Sequence, residues 1–274
     1  LYVVPGNHDI NNSESFQYIG DNTAPVPTIN DKEFKSLYHE FGYKEAINED
    51  SQSLSYVIEP VKGLWVMALD SCRWKENKPG HPPITDGAFS QKTQKWIESQ
   101  LILAKKMKKA VIVLLHHGIM EHYPANEKYY GRYVIDESDS ISKLFAAYGV
   151  RLVFTGHFHA QDVTKKEFEN SDDFIFDIET GSLVTAPCPY RIIQISKGHQ
   201  ATIKSKFIES IPSREDLSDY AYQYVFDGTI TMANAKLDKF MVSKEQQPLI
   251  TSQISKAYCA HLFGDEKKPE VTIN

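Results

Sequence analysis

The stretch Ala110-Val111-Ile112-Val113-Leu114-Leu115 runs without a polar residue straight into His116-His117-Gly118. A short unbroken aliphatic run ended by polar residues and glycine reads as a strand covered on both faces, as in parallel sheets. The same arrangement occurs twice more: Leu1-Tyr2-Val3-Val4 leads into Gly6-Asn7-His8-Asp9, and Val150-Arg151-Leu152-Val153-Phe154 leads into Gly156-His157-Phe158-His159. Around these runs the patterning predicts strands at residues 2–4, 53–58, 64–69, 110–115, 150–154, 174–178, 191–195 and 202–207, and helices at 31–41, 91–107 and 139–148. Alternation of strand and helix predicts a mixed α/β domain around one sheet system over residues 1–210. Residues 211–274 change to an Ala-, Lys- and Tyr-rich pattern, predicting a C-terminal appendage of two or three helices broken near Pro248.

Composition narrows the class. The 274 residues are 41% apolar and 24% charged, which suits a globular chain and excludes collagenous, disordered and disulfide-scaffold proteins. With 30 Lys+Arg against 36 Asp+Glu the net charge is -6, so no broad basic surface is expected and a duplex nucleic-acid partner is excluded. Cys72, Cys188 and Cys259 are odd in number and share no metal-binding spacing, so they are expected to be small buried residues. The longest apolar run, residues 110–115, is far short of the roughly 20 residues a membrane span needs. Because Leu1-Tyr2-Val3-Val4 reads as the middle of a buried strand, the chain is expected to be an N-terminally truncated fragment, and the lack of a signal peptide then says nothing of location. A strand left at an open sheet edge predicts a dimer through that edge.

Five histidines fall directly after the three apolar runs: His8, His116, His117, His157 and His159. Ligands of α/β sheets bind beyond the carboxyl ends of strands, so the three clusters are expected to converge. Imidazoles with an amide oxygen suit first-row divalent ions such as Mn, Fe, Zn, Ni or Co, and not a carboxylate cage for calcium. In an extended segment His157 and His159, two residues apart, would project to one side, with Gly156 making a sharp turn off the strand. In Gly6-Asn7-His8-Asp9 the amide of Asn7 can ligate while Asp9 orients His8 by a hydrogen bond, leaving His8 to handle protons.

These blocks, in this order, resemble the last three of the calcineurin-like metallophosphoesterase signature, Asp-x-His, Gly-Asp, Gly-Asn-His-Asp/Glu, His, Gly-His-x-His. The turn Phe41-Gly42-Tyr43, the pair Leu69-Asp70 and the run from His116 to His122 are most similar to bacterial extracytoplasmic members related to cyclic-nucleotide phosphodiesterases. The resemblance implies a sheet sandwich flanked by helices, here without its N-terminal strands. It implies two divalent transition metals in the complete parent protein. Asn7, His116 and His157 would be ligands of one, His159 a ligand of the other, and His8, with Asp9, would be the catalytic pair. It implies a small phosphoester substrate, a cyclic nucleotide among the candidates, and a secreted or lipoprotein location.

No Asp-x-His or Gly-Asp block precedes Gly6, so at most one metal and no turnover are expected of the chain by itself. Two rival readings follow: an inactive or half-site module, and a nuclease on the same fold, which the acidic balance opposes. His117 is expected either behind the site or in packing, and His122 and Tyr123 near substrate or behind the site. Tyr129, Tyr130 and Tyr133 are candidates to stack a base, or simply to pack on their own domain. His39, His81, His199 and His261 are given no role. The long loops 10–30 and 118–137 are expected to be functional or disordered.

Overall fold

The computed structural model describes residues 1–20, 22–196, 200–264 and 270–273, so His199 lies outside the described residues. The elements of the first part of the chain are β1 (Phe16–Ile19), β2 (Asn22–Pro25), α1 (Asp31–Leu37), β3 (Asn48–Glu49), β4 (Tyr56–Val61), β5 (Leu64–Leu69), α2 (Gln91–Lys106) and β6 (Ala110–Leu115). They are followed by α3 (Asn126–Tyr130), α4 (Ser138–Ala147), β7 (Leu152–Thr155), β8 (Asp162–Glu167) and β9 (Phe174–Glu179). Then come β10 (Pro189–Ile195), β11 (Ala201–Phe207), α5 (Leu217–Lys239), α6 (Gln247–Phe263) and β12 (Glu270–Ile273). Two compact units emerge: residues 1–157 with 164–178, and residues 158–163 with 179–274.

The first unit is built on a mixed sheet in the order β3-β4-β5-β6-β7-β9-β8. β4 runs antiparallel to β5, while β5, β6 and β7 are parallel. Parallel neighbours need crossovers, and α2 and α4 supply them. The period-two alternation of β6 decides which residue faces which layer. Val111, Val113 and Leu115 enter a core with Ile97, Leu101 and Ala104 of α2 and Ile141, Phe145 and Ala146 of α4. Ile112 and Leu114 face the opposite layer, where Phe34 of α1 packs with Tyr43, Tyr56 and Trp74. Both faces of the strand are thus covered, which is why it reads as a continuous apolar run.

Capping fixes where the helices begin. Ser90 accepts the Thr93 N–H at 3.1 Å ahead of α2, and Asn30 with Glu33 forms a capping box ahead of α1. The register pairs Leu69 with Leu115 and Leu114 with Phe154, so β5, β6 and β7 end together and Ser71, His116 and Gly156 come to one rim.

In the second unit, β10, β11 and β12 form an antiparallel sheet, and α5 and α6 pack on one another, with the Ser255 hydroxyl donating to the Phe226 carbonyl. Cys72, Cys188 and Cys259 are all buried and free, as the sequence predicts. Among the described residues no helix is long and apolar enough to cross a membrane.

Several boundaries differ from the sequence reading, each for a physical reason. Residues 2–4 form no strand: the Tyr56 hydroxyl accepts the Val3 N–H at 3.0 Å and donates to the Val3 carbonyl at 2.7 Å, doing what a neighbouring strand would do. The strand expected at 53–58 begins later, because Asp50 accepts from the Gln52 N–H and the Ser53 hydroxyl and closes a turn there. Loop 10–30 contains the β1–β2 hairpin, whose residues are nearly all exposed and so carry no apolar alternation. Strand β8, Asp-Val-Thr-Lys-Lys-Glu, is an edge strand whose charges hide it from pattern reading. Pro248 does not break the helical region but sits in the first turn of α6, where its missing N–H costs nothing; the break is at 240–246.

Candidate metal centre

His116 is the first residue beyond β6, and its Nε2 lies 3.0 Å from the side-chain oxygen of Asn7. The His157 ring is 4.4 Å from that of His116, centroid to centroid, and 4.5 Å from that of His117. Three chain segments far apart in sequence therefore converge on one point beyond the strand ends. Gly6 lies close against the cluster: a Cβ there would sit 3.1 Å from Cε1 of His116 and 3.3 Å from Oδ2 of Asp9. Gly87 is tighter still, since a Cβ would stand 2.5 Å from the His117 ring.

The turn after β7 differs from the expected one. It is His157 and His159 themselves that adopt left-handed backbone, at φ 71° and 63°, and not Gly156, so the two imidazoles do not project from an extended segment. Such conformations cost on the order of 1–3 kcal/mol for a residue with a Cβ and persist only where the surroundings enforce them.

The hydrogen bonds assign the ring nitrogens. The Thr85 carbonyl lies 2.9 Å from Nε2 of His117 and 3.1 Å from Nε2 of His157, so a carbonyl that can only accept places N–H on both. His117 then accepts from the Ser71 hydroxyl at Nδ1, 2.7 Å away. It is fully buried, and burial pushes its pKa down to about 4, so it stays neutral. His117 is thus a packing and supporting residue against His157. Asp70, the first residue beyond β5, accepts from the Leu54 and Cys72 N–H groups and the Trp74 indole, and burial raises its carboxyl above the ordinary range.

His8 and Asp9 are exposed. The Asp9 carboxylate accepts the Gly6 N–H at 2.7 Å and closes the loop on itself; it makes no hydrogen bond to His8, contrary to the orienting role expected of it. Asn12 holds the His8 carbonyl instead, at 3.1 Å. The Tyr133 ring lies 4.8 Å from that of His157, and Tyr123, Tyr129 and Tyr130 are exposed. His122 is buried, its Nε2 3.3 Å from Oδ2 of Asp177 and its Nδ1 3.3 Å from the Thr164 hydroxyl. His159 is exposed and belongs to the second unit, where a Cβ on Gly181 would come within 2.9 Å of its carbonyl.

The donor set fits a divalent ion in three respects. Two ligand atoms at about 2.0–2.1 Å from one ion and at right angles stand about 3 Å apart, which matches the Asn7–His116 separation. A metal-binding imidazole commonly gives its other N–H to a backbone carbonyl, as His157 does to Thr85. The Asn7 Nδ2 is buried without a partner, an orphan of the kind that marks an incomplete polar site. The fit stops at charge: an amide oxygen and neutral imidazoles bring none, and among the described residues no group of three or more His, Cys, Asp and Glu is placed to hold a metal. Sequence reasoning missed Thr85, which acts through its main chain, Ser71, in the turn after β5, and Asp177, a single carboxylate inside an apolar run.

Histidines and an asparagine thus gather beyond strand ends of a mixed sheet. The family model of the calcineurin-like phosphoesterases matches residues 1–161, and the chain belongs to that family. Among solved structures, a dimetal phosphatase from Danio rerio is similar at 12% identity and a TM-score of 0.43, over 57% of this chain and 58% of that one. The chain thus spans little more than half the length of that structure. No curated protein matches in sequence.

Proposed function

We propose that this chain carries the phosphoester-hydrolysing site of a metal-dependent phosphodiesterase, with Asn7, His116 and His157 holding one divalent ion such as Mn, Fe, Zn, Ni or Co. The observation that carries the reading is the 3.0 Å approach of Asn7 to His116 with His157 beside them. An ion bound there supplies Lewis acidity to a phosphoryl oxygen and activates the attacking water. His117 and Thr85 fix the His157 ring, and His8, exposed at the mouth of the loop, gives an imidazole proton to the departing alkoxide. Family resemblance assigns His159 to a second ion and gives Asp9 a place beside His8, and it favours small diesters, cyclic nucleotides among them, as substrates. The test is turnover of bis-p-nitrophenyl phosphate against p-nitrophenyl phosphate with Mn²⁺. Measured on the complete protein, faster diester hydrolysis, lost in His116→Ala, is expected; a clear monoester preference overturns the diesterase reading.

A second reading, a metal-binding module without turnover, is favoured by the neutral donor set. Mn²⁺ binding with no hydrolysis of either ester would establish it.

A further inference from the structure

Asp177 is the one acidic residue in the apolar run Phe174-Ile175-Phe176-Asp177-Ile178 of β9, and it is completely buried. A buried carboxylate is costly unless hydrogen-bonded, so its partners reveal why it is there. Oδ2 accepts the Ile119 N–H at 2.7 Å, and Oδ1 accepts the hydroxyl of Thr155. Oδ2 also faces Nε2 of His122 at 3.3 Å, and the Thr164 hydroxyl lies 3.3 Å from the other nitrogen of that ring. Ile119 follows His116 by three residues and Thr155 precedes His157 by two. The carboxylate therefore grips both turns that carry these histidines, from a third strand. Between the turns, the Gly156 N–H donates to the His116 carbonyl at 3.1 Å, so the same gap is bridged on both sides.

Packing alone would be served by an apolar residue in this strand, as at Ile175 and Ile178. What a carboxylate adds is direction: its two oxygens hold two separate donors at fixed angles, and charge-assisted bonds are about twice as strong as neutral ones. Holding His157 at a left-handed backbone needs such enforcement. We propose that Asp177, supported by His122, is a positioning residue that sets the separation of His116 and His157 through the Ile119 N–H and the Thr155 hydroxyl. It touches neither ion nor substrate. The inference rests on the reading of His116 and His157 as ion holders.

The experiment uses the full chain and Mn²⁺ alone as probe, with titration calorimetry for affinity and amide hydrogen exchange of the metal-free protein for geometry. Thr155→Val removes the hydroxyl at nearly constant shape, and Asp177→Asn removes the charge. Both are expected to weaken Mn²⁺ binding about 10-fold or more and to speed exchange of the Gly156 N–H relative to the rest of β7. Thr155→Ser, which keeps the hydroxyl, is expected to restore both. Leu101→Ala is the control: it loosens the core under β6 and lowers the melting temperature without touching Asp177. Unchanged Mn²⁺ affinity and Gly156 exchange in Thr155→Val would overturn the proposal, as would equal changes in Leu101→Ala. If the unaltered chain binds no Mn²⁺, the ion-holding reading falls, and Gly156 exchange alone then decides whether Asp177 positions the two turns.

Discussion

At the scale of single residues, the site depends on close approaches that leave no room for a methyl group. Gly87 lies against the His117 ring, which is itself held between Ser71 and the Thr85 carbonyl and packs on His157. Gly87→Ala must push that ring, and overpacking of this kind costs about 1–3 kcal/mol. A lower urea midpoint together with weaker Mn²⁺ binding is expected; a variant as stable as the parent would show that the ring has somewhere to go. His8 is exposed and outside this packing, so His8→Ala should leave the midpoint unchanged. It should slow kcat roughly 10²- to 10⁴-fold for diesters with poor leaving groups and much less for nitrophenol, which needs little protonation. Equal losses with both leaving groups would give His8 another role. The convergence of Asn7, His116 and His157 is legible in the sequence because each follows an apolar run. Thr85 is not, because it acts through a carbonyl that every residue possesses, and the left-handed turn at His157 was assigned to Gly156 because glycine bears its conformation at lower cost.

At the scale of elements, patterning read well wherever burial was two-sided. β5 and β6 lie where their aliphatic runs predict, residues 64–69 and 110–115, since both faces meet a core. β1 and β2, exposed on nearly every residue, carry no such signal, and lysines mask the half-buried β8. The junction of β4, β5 and β6 is joined instead by Glu59, whose carboxylate accepts from the Gly63 N–H, the Trp65 indole and the Lys109 ammonium. The Lys109 bond, first among these, lowers its pKa from 4.5 to about 2. A carboxylate whose folded pKa lies under its unfolded one binds fewer protons when folded, so it contributes stability above about pH 4.5 and loses it as pH falls toward 2. Glu59→Gln should therefore be less stable than the parent at pH 7, with the gap narrowing as pH falls from 4.5 to 2. Urea midpoints across that range measure it, and a gap constant with pH would remove the ionised carboxylate from the account.

At the scale of the whole molecule, an ion at this site would tie together residues 7, 116 and 157, which an unfolded chain holds far apart. Binding confined to the folded state raises stability by RT ln(1 + [L]/Kd), roughly 2.7 kcal/mol at a ligand concentration 100 times Kd. The melting temperature should accordingly rise with Mn²⁺ and stop responding in Asn7→Ala and His116→Ala. The affinity follows from the charge of the donors. An amide oxygen and two imidazoles bring no negative charge to a dication, and no group of three or more His, Cys, Asp and Glu among the described residues adds any. Water competes well against neutral ligands, so binding should be weak, and one transition metal or fewer per chain should survive dialysis against buffer without added metal. Elemental analysis of the dialysed protein measures this directly. Two ions per chain surviving dialysis would mean that carboxylates not gathered at the cluster move to it when metal is present, and Asp9, exposed and bound only to its own loop, would be the first to replace by asparagine.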